Sequence, residues 1–363
     1  MVFINRLIKY LKLNLMKKLF FSASIAALLV SCSASKNTPQ PDPDIDYAEK
    51  FAATITEKDL AKHLFIYASD EFEGRNTGDS GQKKAVQYLK NFYVKSEIAS
   101  PLGGDDYFQE VPAAFLNSST RVQGLKDSEN VVAFIKGSEK PDEIVVISAH
   151  LDHEGIKNGM IYNGADDDGS GTVAILEIAE AFKKAALEGH GPKRSILFLH
   201  VTGEEKGLLG SKYYVENPIF PIAKTVVDLN IDMIGRIDDR HKNNPNYVYL
   251  IGADKLSTEL HDLSERMNAK YTNISLDYKY NDEKDPNRFY YRSDHYNFAK
   301  YNVPIIFYFN GTHEDYHQPT DTPDKINYDL LENRTRLVFH TAWEVANRDN
   351  RLVVDKPVTP PSN

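Results

Sequence analysis

Apolar residues along this chain fall into two periods. Continuous apolar runs of strand length occupy residues 143–150, 195–203 and 226–233, with shorter ones at 247–252 and 303–309. Runs without polar alternation predict strands buried on both faces. Residues 109–115 and 130–135 also have strand character. Helical spacing appears within 59–99, where Ala85, Tyr88, Leu89 and Phe92 share a face, and at 172–186, where Val173, Leu176, Ala179 and Phe182 do. Further helices are predicted at 206–215, 257–269, 294–301 and 329–348. Strands alternating with helices predict an α/β fold: a single-domain three-layer sandwich with a mixed, largely parallel central sheet flanked by helices. No repeat or linker divides residues 48–350.

The first residues read differently. Lys9, Lys12, Lys17 and Lys18 precede an apolar run, 19–30, that is too short to span a bilayer. Residues 1–31 read as a secretory signal, and Met16 opens a conventional one by itself. The run ends in Leu29-Val30-Ser31-Cys32, which resembles the lipobox of bacterial lipoproteins, and Cys32 is the only cysteine in the chain. The expectation is a lipoprotein anchored through Cys32 and exported to the periplasmic side of a membrane or the cell surface, the outer membrane being the expected one. Residues 32–47, with Pro39, Pro41 and Pro43, read as a polar tether, and 351–363 as a tail.

Charge narrows the partners. With 43 Lys and Arg against 52 Asp and Glu, the net charge is −9, and no basic or aromatic stripe is present. Nucleic acid is thereby excluded as a partner. Once Cys32 is acylated no thiolate remains, so any metal must be held by His, Asp and Glu.

Candidate chemistry collects where the apolar runs end, the place where open α/β sheets bind ligands. Asp166-Asp167-Asp168 lies between glycines at the start of a helix. Three adjacent acids repel one another, so capping does not account for them, and they would also repel a phosphate. A cation would account for them. Calcium loops space their acids on alternate residues, whereas adjacent acids point apart, so one of the three binds directly and the others support it. His150 and Asp152 close one strand two residues apart and face the same side. Asp152 is a candidate orienter of that histidine. Glu204 and Glu205 follow the next strand and can divide metal binding from proton transfer. Asp232 ends the third strand, where an unpaired carboxylate is costly to bury. His317 lies in a polar turn, with His313 as its competitor. His150, Asp166, Glu205, Asp232 and His317 together suit two divalent ions sharing one carboxylate, ~3.5–4 Å apart.

The blocks SAHLDH, NGADDDGSGT, TGEEKGLLGS, NIDMIGR, SDHYNFA and YHQPTDTPDKI occur in this order, preceded by DEFEGRNTGDSGQ. In that order they resemble the M28 family of zinc peptidases, over roughly residues 60–347. The resemblance implies an eight-stranded mixed sheet and two zinc ions. In it, His150 and Asp232 hold one ion, Glu205 and His317 the other, and Asp166 bridges them, with a cis peptide following at Asp166–Asp167. Asp152 orients the first histidine. Glu204 is the general base that takes a proton from the attacking water and returns it to the leaving amine. Tyr316 stabilises the oxyanion. Arg292 and Asp294, which flank Ser293, are candidate substrate contacts, an N-terminal helix cap with an ordinary acidic neighbour being the plainer role.

The implied activity is that of an exopeptidase on peptide substrates, an aminopeptidase before a carboxypeptidase. Glutaminyl cyclases share the fold with a single zinc, but they usually carry tryptophan before the last histidine, where this chain has Tyr316. Its one tryptophan, Trp343, falls in the predicted terminal helix. A lipid-anchored binding module without catalysis would be expected to lack a ligand or the base, and none is missing.

Overall fold

The computed structural model describes residues 45–118 and 122–359. Cys32, the signal and most of the tether lie outside the described residues. Among those described, no helix is long and apolar enough to cross a membrane.

Ten strands form among the described residues: β1 (Phe108–Val111), β2 (Ser128–Ile135), β3 (Lys140–His150), β4 (Gly155–Lys157), β5 (Met160–Tyr162), β6 (Arg194–Val201), β7 (Thr225–Ile231), β8 (Tyr247–Ile251), β9 (Ser275–Asp277) and β10 (Ile305–Phe309). Eight build one sheet, in the order β1-β2-β6-β3-β7-β10-β8-β9, and β4 pairs with β5 in a hairpin outside it. The centre, β6-β3-β7-β10, is parallel, and antiparallel pairs join β1 to β2, β2 to β6 and β10 to β8. The sheet is therefore mixed, with a parallel core.

Alternation along β3 explains its unbroken apolar run. Val145 and Ile147 face one apolar cluster, and Ile144 and Val146 face another on the opposite side of the sheet. The first side is covered by helices α1 (Tyr47–Ala52), α2 (Glu57–Tyr67), α3 (Ser80–Lys95), α5 (Gly171–Leu187), α7 (Thr258–Met267) and α9 (Tyr328–Asn347). On the second lie α6 (Leu209–Glu216) and α8 (His295–Ala299). The remaining helix, α4 (Ala113–Leu116), caps a small cluster of Val111, Leu116 and Leu209.

Three expectations shift. The helical stretch 59–99 is broken after Tyr67, because Glu73, Gly74 and Arg75 all take positive φ. The strand expected at 109–115 stops at Val111 and turns into α4 through Pro112, which lacks an N–H for the ladder. The helix expected from residue 206 starts only at Leu209, because Leu208 sits at φ 60°. The tail is held down: Val353 N donates to Glu259, Arg351 donates to Ala223 and Thr225 carbonyls, and Asn302 exchanges two hydrogen bonds with Val358.

Candidate metal centre

Parallel pairing brings the strand ends level. His150 at the end of β3 pairs with Val201 at the end of β6, three residues before Glu204, and Asp232 directly follows β7. The loop after β10 returns His317 to the same rim. Its seat is fixed by Asp315, whose carboxylate accepts from Arg236, Thr320 and Lys325.

Asp167 occupies the middle of the cluster. One of its oxygens is 3.1 Å from His150 Nε2, and the other is 3.0 Å from His317 Nε2. Asp232 Oδ1 lies 3.6 Å from His150 Nε2, and Glu205 Oε2 lies 3.2 Å from His317 Nε2. The bridging place therefore belongs to Asp167, not to Asp166 as expected. Asp166 points the other way, accepting from Gly235 N at 2.7 Å and meeting His313 Nε2 at 3.1 Å. Asp168 also serves the backbone, accepting from the amides of His150, Gly171 and Met233 and so tying β3 to the turn after β7. Within Ala165–Ser170 the backbone leaves helical φ/ψ at Asp167 and Asp168, so consecutive side chains diverge and the three acids go to three places. The cis peptide falls at Asp167–Asp168, again one residue later than expected.

Asp152 orients His150 through its backbone. His150 Nδ1 is 3.0 Å from the Asp152 carbonyl and 4.0 Å from its carboxylate. That carboxylate instead accepts from Thr77 Oγ1 and from Glu204 N, so it fixes the chain at Glu204. Arg75, fully buried, donates to the carbonyls of Tyr67, Leu151, Asn163 and Gly164 and so holds the loops that carry Asp152 and Asp167.

A small cavity of about 30 Å³ opens beside the cluster, lined by Asp167, Glu204, Asp232, Met233, Phe289, Arg292, Phe307, Phe309 and Tyr316. Tyr316 stacks on His317, and its hydroxyl faces Arg292 Nη2 at 3.4 Å. Arg292 and Tyr316 thus share the cavity wall. Asp294 does not: it is fully buried, neither lines the cavity nor caps α8, and accepts from Ser211 Oγ. Ser293 was passed over as a cap residue, yet its hydroxyl donates to Asp232 Oδ2 at 2.6 Å and accepts from Asn230. His153 was also missed, although it stands three residues after His150; its Nδ1 is 2.8 Å from Glu205 Oε1.

The electrostatics call for cations. Burial, reinforced by the charges of Asp232 and Glu205, pushes the Glu204 carboxyl well above its usual range. Burial opposes charge on His150, but the facing carboxylates of Asp167 and Asp232 overcome it and raise that imidazole well above its ordinary value. Among the buried polar atoms without a hydrogen-bond partner are His150 Nε2, His153 Nδ1, Asp167 Oδ2 and Glu205 Oε1. Buried polar atoms are otherwise almost always satisfied, so atoms left over at one spot fit metal ligands. Against the effect of burial, the facing imidazoles hold the carboxyls of Asp167 and Glu205 below their usual range, and dications would neutralise their charge.

Residues 130–342 match the sequence profile described as Peptidase family M28. The leupeptin-inactivating enzyme 1 of Streptomyces exfoliatus is 26% identical over 344 residues, covering 89% of this chain and 67% of that protein. Leucine aminopeptidase 2 of Trichophyton equinum is 26% identical over 316 residues, covering 75% of this chain and 60% of that one. The solved LapA aminopeptidase of Legionella pneumophila superposes with a TM-score of 0.62 at 21% identity, covering 83% of this chain and 75% of that one.

Proposed function

Since the chain belongs to peptidase family M28, we propose that its rim cluster is a dizinc centre that removes residues from the free N-terminus of peptides. The observation that carries this reading is Asp167, whose two oxygens face His150 and His317 separately while Asp232 and Glu205 flank them. His150 with Asp232 would hold one zinc, Glu205 with His317 the other, and Asp167 both. When bound, zinc supplies a Lewis acid that polarises the scissile carbonyl and acidifies the attacking water.

The chain's own residues do the rest. Glu204, raised by burial, is suited to take the proton of the attacking water and to give it to the leaving amine. Its backbone is held by Asp152 at 3.1 Å, which keeps the carboxyl at the cavity wall. Tyr316, whose phenol lines the same cavity, is placed to donate to the oxyanion. The cavity is small and partly open, which suits the end of a substrate chain better than its middle. The similarity to proteins named as aminopeptidases, leucine aminopeptidase 2 and LapA, supports the free N-terminus as the end that is cut. Phe289, Phe307, Phe309 and Met233 give an apolar seat for the first side chain.

A solved glutaminyl cyclase of Porphyromonas gingivalis shares the fold at a TM-score of 0.60, so fold does not separate the activities. Tyr316 before the last histidine supports the peptidase. Reporters with a free amine, their N-acylated counterparts and an N-terminal glutamine peptide separate the two. Only the free-amine reporters should be hydrolysed, chelator should stop the reaction, and zinc should restore it. Cyclisation of glutamine with no hydrolysis would refute the reading. The apolar run before Cys32 further supports an exported, lipid-anchored peptidase, with the outer membrane as its place. Membrane attachment that survives Cys32→Ala would refute that anchor.

A further inference from the structure

We propose that His153 is a direct ligand of the second zinc, giving that position two imidazoles, His153 and His317, besides Glu205 and Asp167. The proposal rests on the dizinc reading and adds a residue to it.

Three observations carry it. First, distances: His153 Nδ1 lies 2.8 Å from Glu205 Oε1 and 3.8 Å from Asp167 Oδ2, while His317 Nε2 lies 3.0 Å from Asp167 Oδ2 and 3.2 Å from Glu205 Oε2. Ligand atoms around a tetrahedral zinc are ~3.3 Å from one another, and these four separations scatter about that value. Second, the ring is fully buried, yet neither nitrogen has a hydrogen-bond partner, and Glu205 Oε1 and Asp167 Oδ2, the atoms it faces, have none either. An imidazole placed only to hold Glu205 would aim an N–H along that 2.8 Å contact; this one does not. Third, the backbone makes room for the ring. Gly164 takes φ 55°, and a Cβ there would sit 2.4 Å from His153 Cγ, so the turn before Asp167 is shaped around this imidazole. The main chain fixes its other end, His153 N donating to Arg75 O.

The two positions are then unequal. The first keeps one imidazole, His150, with Asp232 and Asp167. The second has a fuller set and holds its ion more tightly.

The test uses the enzyme loaded with two equivalents of cobalt(II). Each ligating imidazole contributes one exchangeable N–H proton resonance shifted by the paramagnetic ion. Three are expected in the unaltered enzyme, from His150, His153 and His317, and two in His153→Gln. In zinc titrations followed by competition with a chelator, His153→Gln should weaken one ion by more than about 100-fold, beyond the ~10–100-fold expected for loss of an outer partner. Two resonances in the unaltered enzyme would overturn the proposal while leaving the dizinc centre intact, and that outcome does not depend on whether the variant folds. Failure to take up any cobalt or zinc would overturn both.

Discussion

Asparagine substitutions at Asp166 and Asp167 separate two neighbours of identical chemistry. Asp167→Asn keeps the shape of the side chain and removes the charge between His150 and His317. Both ions lose their shared ligand, so affinity for at least one should fall by more than 100-fold, about 2.7 kcal/mol. Asp166→Asn acts elsewhere. Its Oδ1 can still accept from Gly235 N, and what is lost is the charge facing His313 at 3.1 Å. A hydrogen bond to a charged group contributes about 1.5–3 kcal/mol, which sets an upper limit on the destabilisation. Metal should stay. The assay is elemental analysis after dialysis against buffered zinc, with melting curves recorded with and without the metal. A ligand that binds only the folded chain raises the midpoint, so zinc should stabilise the unaltered enzyme and Asp166→Asn but do little for Asp167→Asn. If Asp166→Asn lost zinc while Asp167→Asn kept two ions, the assignment of the bridging carboxylate would be wrong.

Glu204→Gln should lower turnover by ~10²–10⁴-fold with two zinc ions retained, and activity that survives would mean another base. Beneath α2, α3 and α5, burial pushes Glu177 up to about 8 and holds His63, 3.6 Å away, down to about 4. Glu177 is raised, so its contribution is full below its ordinary 4.5 and is lost as pH rises toward 8; His63 is depressed, so its contribution is present above 6.5 and is lost as pH falls toward 4. Denaturant melts at pH 5, 7 and 9 should therefore show Glu177→Gln gaining on the unaltered chain as pH rises, by an amount on the order of a few kcal/mol; a difference independent of pH would show that the group is already charged. Arg75→Lys, which cannot fork to four carbonyls, should cost at least ~2–4 kcal/mol in chemical denaturation and weaken zinc binding, whereas near-neutral stability would show the clamp to be dispensable.

The central sheet was legible because β3, β6 and β7 are buried on both faces, which leaves an apolar signature that needs no partner to be read. The hairpin β4-β5 and the edge strand β9 were not, since three-residue strands at the surface carry no periodicity. Metal-ligand residue types at strand ends were readable for the same reason the strands were. Which of three consecutive aspartates faces the ions was not, because Ala165–Ser170 follows neither helical nor strand phase. His153 had a signal, its spacing from His150, but Asp152 between them already accounts for the motif as an orienter of that histidine. The reversal of Asp294 is also tertiary: a carboxylate expected beside a substrate is taken up by Ser211, from a helix 83 residues away in the chain.

Arg75 and Thr77 lie upstream of the region that defines the family, 130–342, yet they fasten the carbonyls of Leu151, Asn163 and Gly164 and the carboxylate of Asp152. Synthesis thus delivers the fastener before the loops it secures. A fragment beginning at Asn130 would carry every ligand and still leave those loops unsecured, so trimming to the recognisable portion should forfeit zinc.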